Sequence, residues 1–186
     1  RRQRQMCIRD SPMPYWGIAH AAGPNPNSRY AQMPDDPQGA GLAAIEAALD
    51  RIDHATPMEA ALIKALYVFY NAKSIPDPRE RDRAYLAEMR KLNKKHPYDP
   101  DIAALYAGSF MSIRRWDYWD KSGQAKGETL AVAEALEHVI NTGDPHPGVF
   151  HLHIHLIEAS LEPERAMVSA DALEATLPIG GHVVHM

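Results

Sequence analysis

Three times in succession, a residue able to cap a helix stands directly before proline: Thr56-Pro57, Asp77-Pro78 and Asp99-Pro100. Proline in the first helical turn gives up no hydrogen bond and already has a helical φ, while a side-chain oxygen ahead of it accepts an orphan backbone N–H. In Thr56-Pro57-Met58-Glu59 the acid three residues on completes a capping box. Stop signals answer these starts at Gly23-Pro24, His96-Pro97 and Gly143. Between them, apolar residues recur at helical spacing: Leu42, Ile45, Leu49 and Ile52; Leu62, Leu66 and Phe69; Ile102, Leu105, Tyr106 and Phe110. Runs of β-branched residues bounded by turns are nearly missing. The pattern predicts an all-α chain. Helices are expected over about 13–22, 38–53, from Pro57, 78–95, from Pro100, 128–143, 147–160 and 162–175, with another starting near His182. Helix, short turn, helix, with successive pairs starting 34 to 47 residues apart, reads as an α-solenoid of antiparallel helix pairs.

Residues 1–11 (RRQRQMCIRDS) resemble a translated sequencing-library adapter and are set aside from fold reasoning, which leaves one expected domain over 12–186. The formal net charge is −4, and leaving out that segment, with its four arginines and one aspartate, makes it −7. A phosphate backbone needs a basic face, so nucleic acid is not an expected partner. The single cysteine, Cys7, lies in the excluded segment, so neither a disulfide framework nor a thiolate nucleophile is expected. The apolar runs are short and interrupted, so no membrane span is expected. The 175 residues that remain suffice for a sizeable core.

Chemistry concentrates near the end of the chain, in His151-Leu152-His153-Ile154-His155 and in His182-Val183-Val184-His185. On a helix, His151, His155 and Glu158 share one face and His153 points nearly opposite. Imidazole and carboxylate at that spacing suit a transition metal, Zn, Cu, Fe or Mn, and no thiolate is present to favour a softer ion. At such a site Glu158 either ligates directly or orients a histidine; the other reading of the same face is a set of neutral, hydrogen-bonded groove residues that contact a peptide or each other. On a strand, all three histidines would line up instead. The run then resembles the histidine-triad pattern, which implies a nucleotide hydrolase or transferase with His153 as nucleophile. That reading needs an upstream antiparallel sheet, for which the preceding residues give few signals.

The unit from Pro147 to Gly180 resembles a tetratricopeptide repeat through Phe150, Ala166 and Pro178 at its fourth, twentieth and thirty-second positions. More of the chain is similar to a bacterial family of tetratricopeptide-repeat proteins. The similarity lies in Tyr15-Trp16-Gly17-Ile18-Ala19, Gly23-Pro24-Asn25-Pro26-Asn27, Arg115-Trp116-Asp117-Tyr118-Trp119, His155-Leu156-Ile157-Glu158-Ala159-Ser160, Pro163-Glu164-Arg165-Ala166 and Gly181-His182-Val183-Val184-His185-Met186. The resemblance implies a chain truncated at both ends. It also implies a concave groove able to take a peptide or protein, lined by His151, His155 and Glu158, with His182 and His185 on the adjacent helix. Five groups would then converge on one metal: His151, His155, Glu158, His182 and His185. At His153 the family tends to carry an aromatic residue, which sets that histidine outside the shared site.

Three further features have plain structural readings. Trp116 and Trp119 are expected as core plugs in a loop between helix pairs rather than as a ligand platform. The asparagines near Gly23-Pro24 are expected to make turns. Lys91, Lys94 and Lys95 are expected at a helix end, where positive charge offsets the dipole.

Overall fold

The computed structural model describes residues 10–23, 37–144 and 146–176. Eight α-helices lie among them: α1 (Met13–Ala22), α2 (Pro37–Leu49), α3 (Pro57–Tyr70), α4 (Pro78–Lys95), α5 (Pro100–Arg114), α6 (Thr129–Thr142), α7 (Pro147–Ile157) and α8 (Met167–Thr176). Helices pack mostly on their neighbours in sequence, and α1 with α3 and α5 with α7 also meet. Among the described residues, β-pairing is limited to an isolated bridge between Trp119 and Ala125. No described helix is long and apolar enough to cross a membrane. The chain divides into two compact units, Arg1–Glu88 and Met89–Met186.

In the first unit, α1, α2 and α3 close around Ala19, Ile45, Ile63 and Leu66, all fully buried. The capping box forms as its residues require. The Thr56 amide donates to Glu59 at 2.7 Å, and the Glu59 amide donates to Thr56 Oγ1 at 3.3 Å. Two aromatic side chains carry hydrogen bonds across the core: Trp16 Nε1 donates to the Leu62 carbonyl at 3.3 Å, and Tyr70 Oη donates to the Ala19 carbonyl at 2.6 Å. The Tyr70 hydroxyl fits because Gly23 and Gly41 have no side chain, since Cβ atoms there would lie 2.7 and 2.2 Å from it. At the turn into α4, Arg81 donates to the Phe69 carbonyl, an acceptor that the end of α3 leaves open, and to the Ile75 and Pro76 carbonyls of the loop that follows.

The second unit packs α5, α6, α7 and α8 around Ile102, Met111, Leu136, Leu156, Ile157 and Leu173. Asp99 caps α5 by accepting from the Ile102 amide at 3.1 Å. The cap of α7 is a histidine. His146 Nδ1 accepts from the Val149 amide at 3.1 Å, so its ring proton sits on Nε2, 3.0 Å from Asp101 Oδ1.

Three expected helices are shorter in the structure. The one expected over 38–53 ends at Leu49 and is followed by a 3₁₀ turn, Ile52–His54. The helix expected from 147 stops at Ile157, with Glu158 as its C-cap. In place of a helix starting at Glu162, Pro163–Ala166 form a 3₁₀ turn ahead of α8. Proline has no amide to donate, and the turn closes instead through the Arg165 amide on the Glu162 carbonyl at 3.1 Å. The helix expected near His182 falls outside the described residues.

Gly41→Ala tests the close approach in the first unit. Overpacking a buried hydroxyl should cost about 1–3 kcal/mol in a denaturant titration, whereas Gly17→Ala, where an added Cβ meets nothing within 4 Å, should not destabilise.

Candidate functional site

The α7 sequence PGVFHLHIHLI is helical from Pro147 to Ile157, so its histidines separate to two sides. His151 and His155, one turn apart, meet edge to face with ring centroids 4.7 Å apart. Glu158 turns toward His155, with Oε1 3.1 Å from His155 Nδ1. A carboxylate accepts only, so this contact places the His155 proton on Nδ1 and the ring's lone pair on Nε2.

Trp116 completes this face. Its ring stands perpendicular to that of His155 at 4.6 Å, and about half of its surface remains exposed, at 48%. The backbone beneath it is unusual. Arg115 and Trp116 have φ of 44° and 71°, a left-handed conformation that side chains with a Cβ pay for. Surrounding contacts hold the loop: Trp119 Nε1 donates to the Leu156 carbonyl at 2.7 Å, and the Lys126 amide donates to the Tyr118 carbonyl at 2.8 Å. Tyr118 is buried, which pushes its phenol pKa up, and the Glu158 charge adds to the rise. The two tryptophans therefore differ. Trp119 ties the loop to α7 as the plug reading expects, whereas Trp116 is an exposed wall of the histidine face.

His153 points the other way and is fully buried. Its Nδ1 lies 2.9 Å from Ser169 Oγ on α8, and its Nε2 lies 3.3 Å from Glu137 Oε1 on α6. Arg165 grips the same Glu137 oxygen at 2.6 Å through Nη2. Burial lowers the His153 pKa, Glu137 acts against that shift and Arg165 adds to it, so the neutral ring is favoured. Serine, histidine and glutamate in contact are the components of a hydrolase triad, but Ser169 is fully buried and no substrate can reach it. The network holds α6, α7 and α8 together.

These positions overturn the histidine-triad reading. It needs an extended strand with His151, His153 and His155 on one side, whereas α7 buries His153 in the core and turns the other two away from it.

Of the five expected metal ligands, the structure sets the rings of His151 and His155 against each other and Glu158 against His155. His182 and His185 lie outside the described residues. Among the described residues, no group of three or more His, Cys, Asp or Glu side chains is placed to hold a metal ion. Sequence reasoning missed Glu137, Arg165 and Ser169, because Glu137 and Ser169 each lie 16 residues from His153 and share no local pattern with it. No protein-family model, curated protein or solved structure matches the chain, so similarity identifies no family for it.

His153→Ala should lower stability by about 3 kcal/mol, since it leaves Ser169 and Glu137 without their imidazole and opens a cavity. Urea denaturation checks this. A change below about 0.5 kcal/mol, the level of an uninvolved surface position, would show that the network contributes little.

Proposed function

We propose that α7 carries a transition-metal centre, for Zn, Cu, Fe or Mn, with His151 and His155 as ligands, Glu158 as the carboxylate that orients His155, and His182 and His185 completing the set. The observation that carries this reading is the contact of His155 Nδ1 with Glu158 at 3.1 Å, one helical turn from the ring of His151. A ligating histidine commonly donates its second ring proton to a carboxylate, which fixes the tautomer and raises the basicity of the ligating nitrogen. Glu158 fits that supporting role better than the direct ligation expected from spacing alone. A metal bound there would polarise a coordinated water or carbonyl. The half-exposed Trp116 would form one wall of the approach.

The scaffold in this proposal is a tetratricopeptide-like array of helix pairs whose groove admits a peptide or protein partner. What supports it is the packing of helices on sequence neighbours, together with the next-but-one contacts of α1 with α3 and α5 with α7. Each unit of a stacked repeat buries its apolar face against the next in this way.

Loading the purified chain with Zn(II) or Cu(II), removing excess metal and measuring content by elemental analysis tests the centre. About one equivalent should be retained, His155→Ala should lose it, and Glu158→Gln should weaken binding by about 10–100-fold. His153→Gln should retain the metal. No retained metal, or full retention by His155→Ala, would rule the centre out.

A further inference from the structure

A second candidate site lies in the Met89–Met186 unit, between the end of α4 and the exposed side of α6. Its two ends are pinned. At one, Arg90 pairs with Glu128 through two guanidinium nitrogens, and Tyr106 Oη donates to Glu128 Oε2 at 2.9 Å. At the other, the Tyr98 ring lies 4.7 Å from the ring of His138. Between the pins a cleft of about 560 Å³ stays open. That is within the size range of small-molecule sites.

The walls follow from helical spacing. Arg90, Asn93 and Lys94 share one face of α4, and Ala131, Glu134 and His138 share one face of α6. Two polar atoms in these walls, Asn93 Oδ1 and His138 Nε2, are buried and have no hydrogen-bond partner among the described residues. Buried polar atoms in native proteins are nearly always satisfied, so two in one cleft call for a ligand or water that meets them both. The Arg90–Glu128–Tyr106 cluster is already satisfied internally and closes its end. The remaining lining charges are of opposite sign, Lys94 and Glu134.

That combination selects the ligand's chemistry. A simple anion would suit Lys94 but face Glu134, and a simple cation would suit Glu134 but face Lys94. A molecule with both charged groups on one carbon meets both. We infer that this cleft binds a small zwitterion of the α-amino-acid class. Its ammonium donates to Asn93 Oδ1 and Glu134, its carboxylate accepts from Lys94 and from His138 with the proton on Nε2, and its side chain lies against Ala131, Ala135 and Pro97. The site shares no residue with the α7 face, so each can fail alone.

The test is a titration of the full chain, observed through the His138 ring proton in ¹H–¹³C NMR, with L-leucine, its methyl ester and N-acetyl-L-leucine as probes. L-Leucine should give a saturable shift with a Kd of about 1 mM or below, and the two blocked forms, each missing one charge, should bind about ten-fold more weakly or not at all. Asn93→Leu and Lys94→Glu, checked for unchanged circular dichroism, should each abolish the leucine shift. No saturable shift with L-leucine up to about 10 mM, equal binding of all three probes, or unaltered binding by a folded Asn93→Leu or Lys94→Glu variant would overturn the inference.

Discussion

The helical turn of α7, about 3.6 residues per turn, governs the chemistry of the second unit. It sends His151 and His155 to one side and His153 to the other, so three imidazoles within five residues acquire different environments. One side meets a carboxylate and an exposed indole. The other is sealed, and its ring is held between Ser169 and Glu137. Had this segment been extended, neither arrangement could exist. The helix is secured at its start by the His146 cap and at its end by Trp119 on the Leu156 carbonyl. It is also apolar over most of its surface: Val149, Phe150, Ile154, Leu156 and Ile157 are all buried. Burial of that kind, rather than helix propensity, stabilises so short a helix.

The loop before α6 links backbone strain to this face. Two consecutive residues in the left-handed region are costly unless neighbouring contacts over-determine them. Here the contacts are the buried Tyr118, the Trp119 hydrogen bond and the Thr129 hydroxyl within reach of the Tyr118 and Lys126 carbonyls. Asp120 knots the far end of the loop by accepting from the Ser122 and Gln124 amides, and Gly123 and Gly127 supply the positive φ values that its turns require. The result is a rigid arm that sets one indole against His155 and leaves half of it exposed. Placement by strain at a candidate site is the pattern expected where geometry serves binding.

What could be read beforehand divides along physical lines. Helix starts were legible wherever a single local interaction decides them: Thr56 with Glu59, and Asp99 with the Ile102 amide, both form as their spacing requires. His146 as a cap was not legible, because histidine has no strong preference for that position and it acts here through a ring nitrogen. The 3₁₀ turns at 52–54 and 163–166 were missed for a related reason, since apolar periodicity does not separate a tightened turn from an α-turn. At the site, spacing placed His151, His155 and Glu158 on one face because one helix carries them all. It could not show that Glu158 would engage the ring of His155, nor that Trp116 would stand exposed beside it. Those outcomes depend on the path of a loop distant in sequence. The partners of His153 depend likewise on packing between three helices.

The sorting of the three imidazoles by α7 is open to direct observation by NMR of the histidine rings. Two-bond ¹H–¹⁵N correlations and ring-to-ring NOEs should show His155 with a proton on Nδ1 facing Glu158, a close contact between the rings of His151 and His155, and no contact of His153 with either. A His155 proton on Nε2 alone, or NOEs joining the His153 ring to those of His151 and His155 along one face, would contradict the account.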